Sequence, residues 1–300
     1  MDEQASEIAA VRALLASRQP PPGSPAPTPA QRRAAMDAMG AAAAMPDGCT
    51  VEAVHIGTVG CERHNSPAAV EGRVLLYLHG GAYTAGSPVS HRPLVARLAQ
   101  LGRTAAVAAD YRLGPEHPFP AAVVDALSVY RSLLETHDAK SIVVAGDSAG
   151  GGLSLALALA IKRERLPQPA GIFVISPWAD LTQSHATYES KAAADPMISR
   201  EGLDLHAADY LGGANAKDPL ASPVFGDLDG LPPLLIQVGS EEALLGDSLL
   251  LAERAGHAKV RVTLEIWPEM IHVWHAFGAI LEPARAATEA AGAWIDARFR

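Results

Sequence analysis

Seven short, mostly apolar runs recur along the chain, VEAVHIG, RVLLYLHG, TAAVAAD, SIVVAG, GIFVIS, LPPLLIQVG and VRVTLEIW, and helix-like text separates most of them. Several are apolar without alternation, as strands covered on both faces must be. Helices are predicted over residues 93–101, 121–135, 152–163, 247–255 and 283–299. Strands that alternate with helices are joined by right-handed crossovers, so the chain reads as an α/β fold with a mainly parallel sheet flanked by helices. At 300 residues it can bury one large core, and its 19% charged content, below the ~25% of an average soluble domain, favours such a fold.

The rhythm breaks in two places. Residues 178–222 read as short helices and loops between two strands, an insertion that would sit above the carboxyl ends of the sheet, where open α/β folds bind ligands. At the N-terminal end, helices are predicted over residues 4–18 and 30–45, with the proline-rich QPPPGSPAPTPA between them. The expected organisation is a set of N-terminal cap helices in residues 1–45 and a catalytic domain in 46–300, with a cap insertion at about 178–222.

A net charge of -9 without any basic run offers nothing to a phosphate backbone, so nucleic acid is not an expected partner. The opening MDEQASEIAAVRALLASRQ is acidic and lacks the basic start and apolar stretch of a signal peptide. The longest apolar helix, over residues 153–161, falls well short of the ~18 residues a membrane span needs, so no stable membrane association is expected and a cytoplasmic location follows. Cys49 and Cys61 have neither metal-site nor disulfide-scaffold spacing and read as reduced thiols.

Between the strand SIVVAG and the helix LSLALALAI lies Gly146-Asp147-Ser148-Ala149-Gly150. A G-x-S-x-G sequence gains chemical meaning in that strand-to-helix context, where a tight turn holds the serine hydroxyl forward at a helix N-terminus. A second glycine-rich segment, HGGAY, follows the strand RVLLYL. The N–H groups of Gly80 and Gly81, with that of Ala149, are candidates to converge on one oxygen as an oxyanion hole. His79 reads as a structural hydrogen-bonding residue.

A serine nucleophile needs a base, and the base needs an orienting carboxylate. Among eleven histidines His272, in the loop after the last strand, is best placed, with His275 as its competitor. The spacing of three between them lacks further ligands, so no metal is expected. Glu241, Glu242 and Asp247 all lie in the loop after LPPLLIQVG, and placement alone does not choose among them. The order serine, acid, histidine is that of α/β-hydrolases.

HGGAY followed by GDSAG resembles the double signature of the hormone-sensitive-lipase-like, or bacterial family IV, carboxylesterases of the α/β-hydrolase superfamily. DYRLGPEHPFPAAVVDA, PLASPVFGDLDGLPPLLIQVGSEEALL and WPEMIHVWHAF extend the resemblance over nearly all of residues 45–300. The resemblance implies an eight-stranded α/β-hydrolase sheet with a small helical cap. It assigns Ser148 as nucleophile, His272 as general base and acid, Glu242 as orienting carboxylate, and Gly80, Gly81 and Ala149 as oxyanion donors. The chain departs from most of the family in carrying Glu242-Ala243-Leu244 where Asp-Pro-Leu is usual. Asp110, Tyr111, Arg112, Glu116 and His117 match a family segment read as scaffold, and Asp147 receives no catalytic role.

The implied activity is hydrolysis of short-chain acyl esters through an acyl-enzyme, without a cofactor. A lactone, aryl formamide or carbamate is the alternative substrate on the same residues. A ligand-binding receptor on this scaffold would be expected to have lost a triad member. By resemblance the protein is expected to be a homodimer joined through its last strand.

Overall fold

The computed structural model describes residues 3–18, 24 and 26–300. Two helices come first, α1 (Glu3–Ser17) and α2 (Pro29–Ala42), followed by the strands β1 (Thr50–Ile56), β2 (Val59–Asn65) and β3 (Val74–Leu78). Next are α3 (Pro88–Leu101), β4 (Ala105–Ala109), α4 (Ala121–Leu134), β5 (Ile142–Asp147), α5 (Ala149–Arg163) and β6 (Gly171–Ile175). Two insertion helices, α6 (Thr187–Ser190) and α7 (Arg200–Leu211), precede β7 (Leu234–Gly239), α8 (Leu245–His257), β8 (Val262–Trp267) and α9 (Glu282–Arg298). Of the proline-rich connector, residues 19–23 and 25 lie outside the described residues.

The strands form one eight-stranded sheet in the order β1-β2-β4-β3-β5-β6-β7-β8. From β4 to β8 every pairing is parallel, whereas β2 runs antiparallel to both β1 and β4. Pleating sends Leu76, Leu78 and Val144 into a core with α4 and α5, and Leu75, Tyr77, Val143 and Phe173 into a core with α3 and α9. Both faces are thereby covered, which explains why β3, β5, β6 and β7 are buried along their whole length and are mostly apolar, with Asp147 and Gln237 as polar exceptions.

Three boundaries differ from expectation. β2 is missing from the seven apolar runs because it carries Glu62, Arg63, His64 and Asn65. Glu62 is nonetheless tucked under α3, where it accepts a 2.8 Å hydrogen bond from Arg92 Nε. α3 begins at Pro88 and runs through Pro93, since Ser87 and Ser90 form a reciprocal cap that starts the helix a turn early. α5 begins at Ala149, so the glycines at 150–152 belong to the helix.

Around the carboxyl ends of the strands lie α1, α2 and the 178–222 segment. Val11 of α1 is buried among Met270, Ile271, Trp274 and Leu281, and the Arg12 guanidinium donates to Ala194 O at 2.8 Å. Full burial of a side chain such as Val11 contributes about 2 kcal/mol. Arg33 of α2 donates to Thr84 O at 2.9 Å and pairs with Glu116 at 2.7 Å. From α7, Tyr210 stacks face to face on Tyr83 with ring centroids 3.8 Å apart.

Candidate active site

The turn between β5 and α5 holds Ser148 at φ 52° and ψ −121°, a backbone conformation rarely adopted by a residue with a side chain. Neighbouring structure makes the turn possible. A side chain on Gly150 would run into the carbonyl oxygens of Leu78 and His79, and one on Gly146 into the backbone of Gly150. Ser148 N–H donates to Ile175 O at 2.8 Å, while its carbonyl accepts from Trp178 N–H at 2.9 Å. Strain of ~1–3 kcal/mol of this type persists only when surrounding contacts over-determine it.

His272 meets this hydroxyl from the loop after β8. Its Nε2 lies 3.0 Å from Ser148 Oγ and its Nδ1 lies 2.8 Å from Glu242 Oε2. A carboxylate can only accept, so the geometry assigns the proton of the neutral imidazole to Nδ1 and leaves Nε2 free to take the serine proton. Burial disfavours the imidazolium, but the hydrogen bond and charge of Glu242, helped by Asp195 and Asp147, outweigh it and hold His272 above its ordinary value of 6.5. Glu242 is fully buried, and its other oxygen accepts from Gly239 N–H at 2.6 Å and from Ser176 Oγ at 2.8 Å.

The rival side chains are placed elsewhere. Glu241 pairs with Lys191 at 3.3 Å. Asp247, at the start of α8, accepts from Ala179 N–H, Asp180 N–H and the Tyr188 hydroxyl, and burial pushes its carboxyl up to about 7. His275 lies 2.8 Å from Gln237 Oε1 through its Nε2, and burial lowers it to about 3. Among the described residues no cluster of three or more His, Cys, Asp or Glu has metal-holding geometry.

The three expected oxyanion donors differ in the state of their N–H groups, and Gly80 stands apart. Its N–H is engaged, donating to Asp147 Oδ1 at 3.0 Å. Among the described residues, the N–H groups of Gly81 and Ala82, and that of Ala149 at the first position of α5, have no such partner. Ala82 lies in the left-handed region at φ 53°. That conformation was not foreseen, because an alanine carries no sequence signal for a positive φ.

Asp147, passed over as non-catalytic, builds the floor of this loop. Besides Gly80 it accepts from the Tyr77 hydroxyl at 2.7 Å and faces His91 Nε2 at 3.3 Å. Burial opposes its charge, yet His91 and the Tyr77 hydrogen bond pull its carboxyl down to about 2. His79 lies over Tyr111 with centroids 4.2 Å apart and donates through Nδ1 to Gly80 O at 2.8 Å. Burial drives His79 to about 3, so it stays neutral while supporting the loop. Arg112 and Asp125 form a multiply bonded pair beside it, closest at 2.8 Å, and Glu116 tethers α2.

Fold and site together define the class: the chain belongs to the α/β hydrolase fold family, whose model matches residues 75–276. Its place within that class is the hormone-sensitive-lipase-like branch of bacterial esterases. A solved esterase from the bacterial hormone-sensitive lipase family is 37% identical, with a TM-score of 0.94 over 98% of this chain and 99% of that one. The esterase EstE5, whose crystal was soaked with p-nitrophenyl butyrate, is 42% identical, with a TM-score of 0.93 over 98% of each chain. An acetyl-hydrolase of Streptomyces hygroscopicus is 48% identical over 230 residues, 76% of this chain and 77% of the relative.

Proposed function

We propose that this protein is a carboxylesterase that cleaves short-chain acyl esters through Ser148, His272 and Glu242. The observation that carries the reading is the unbroken line of hydrogen bonds from Glu242 Oε2 through His272 to Ser148 Oγ, at 2.8 and 3.0 Å. As Ser148 Oγ attacks the ester carbonyl, His272 Nε2 takes its proton and the carbonyl oxygen becomes an oxyanion. The N–H groups of Gly81, Ala82 and Ala149 receive that charge, aided by the positive end of α5. His272 returns the proton to the departing alcohol. Water then adds to the acyl-enzyme by the same route, releasing the acid and restoring the serine.

Every step uses side chains and backbone groups of the chain, so the mechanism includes no cofactor. Helices α1 and α2 together with residues 178–222 act as the cap, a reading supported by the Arg12–Ala194 hydrogen bond and the Tyr83–Tyr210 stack. The short acyl preference is supported by the small insertion helices of 4 and 12 residues, by the acetyl-hydrolase relative and by the butyrate ester used with EstE5. A homodimer joined through β8 is supported by that strand's free edge and by the 45% exposure of Ile266 on it. A cytoplasmic setting fits two unpaired cysteines, Cys49 and Cys61. No described helix is long and apolar enough to cross a membrane.

Purified protein should hydrolyse p-nitrophenyl acetate or butyrate faster than the palmitate, and faster than lactones or aryl formamides. Ser148→Ala should lower kcat on the order of 10⁶-fold, as removal of one member disables a triad acting as a unit. Undiminished turnover by the variant would place the nucleophile elsewhere.

A further inference from the structure

Ser176 follows β6 directly, is fully buried and occupies the left-handed region at φ 46°. Nothing in the ester-cleaving sequence above uses it. Its backbone N–H donates to Gln237 O at 2.8 Å, which fixes it beside the carboxyl end of β7. Its hydroxyl donates to Glu242 Oε1 at 2.8 Å and accepts from Val273 N–H at 3.2 Å. A hydroxyl has one hydrogen and two lone pairs, so both contacts are satisfied at once. A single oxygen therefore ties the loop carrying the acid to the residue after the base.

The geometry gives this bridge a task. Glu242 has one more methylene, and one more free torsion, than an aspartate would have at the same place. Gly239 N–H and the Ser176 hydroxyl both hold Oε1, which turns Oε2 toward His272 Nδ1. Val273 also lies in the left-handed region, at φ 48°, so the backbone beside His272 needs an external hold to keep its course.

We propose that Ser176 is a positioning residue for ester hydrolysis, its hydroxyl clamping Glu242 and the Val273 backbone so that His272 stays in line with Ser148. The proposal rests on the Ser148–His272–Glu242 reading and adds a fourth side chain to it. Ser176 touches neither substrate nor the reacting atoms. Its loss should lower kcat and leave KM unchanged, because misplacing a reacting group by a fraction of an ångström costs on the order of ten- to hundredfold.

The test compares Ser176→Ala and Ser176→Gly with wild type in kcat, KM and the acid limb of kcat/KM on p-nitrophenyl butyrate, with a thermal melt of each. Glycine adopts φ 46° without strain, so that variant folds even where alanine is poorly tolerated. Expected in each folded variant is a kcat lower by about tenfold or more, an unchanged KM and an acid limb displaced downward toward 6.5. The limb moves down because a loosened Glu242 spends less time against the imidazolium, while Asp195 and Asp147, the other charges bearing on His272, are untouched. Wild-type kcat in folded Ser176→Gly would show that the residue serves only the turn and would overturn the proposal. A limb that stays in place or moves upward would overturn it too. Ser148→Ala is run alongside: turnover by that variant would refute the triad reading itself, whatever the Ser176 variants do.

Discussion

In the proposed reaction His272 is neutral at rest and charged in the transition state, and its surroundings pull in both directions. Burial disfavours the charge, but Glu242, Asp195 and Asp147 more than compensate and raise the imidazole above 6.5. Since only the neutral ring accepts the Ser148 proton, kcat/KM should fall as pH drops through that raised value, with its half-maximal point above pH 6.5. A pH–rate profile on a soluble butyrate ester checks this, and a rate still near its plateau at pH 6 would contradict it. Ser148 and His272 were legible in the sequence because each sits in a segment whose neighbours repeat a known grammar. Glu242 was legible only by resemblance, since Glu241 and Asp247 stand close to it in sequence and only packing separates them. The placement of Ala82 and Ser176 was not legible, because each sits at a positive φ that side-chain identity does not encode.

Two elements, β3 and α5, approach each other so closely that Gly150 is their contact. In isolation, replacing a mid-helix glycine by alanine stabilises a helix by about 1 kcal/mol. Here the methyl group would press on the carbonyl oxygens of Leu78 and His79, just before the oxyanion loop. Overpacking of this kind costs ~1–3 kcal/mol, so Gly150→Ala should be destabilised on balance and should lose activity as the loop is displaced. Urea denaturation with parallel ester assays measures both; a variant at least as stable as wild type and fully active would refute the close contact. The same covered packing made the central strands readable, since residues buried on two faces admit few polar side chains. β2 escaped because its polar residues find partners such as Arg92 in the folded state, and a pairing 30 residues away leaves no local pattern.

Across the whole molecule the sheet is asymmetric. β1 and β2 form a hairpin at one end, whereas β8 ends the sheet at the other, with no further described strand beside it and Ile266 exposed. A second copy meeting β8 edge to edge would continue the sheet across a twofold axis. Ile266→Lys should therefore shift the protein toward monomer in light scattering coupled to gel filtration. A wild-type protein that already elutes as a monomer at micromolar concentration would refute the shared edge. The sequence marked where the strand–helix rhythm broke, but not that α1 would settle beside residues 270 and 271, far away along the chain.

Ser148 and His272 are separated by 124 residues, and the loop of His272 is packed against α1. The serine turn and its imidazole are thus brought together only by the folding of the intervening sheet. A polypeptide cut short before the last strand would therefore carry the Ser148 turn without the imidazole that lies against it in the folded chain.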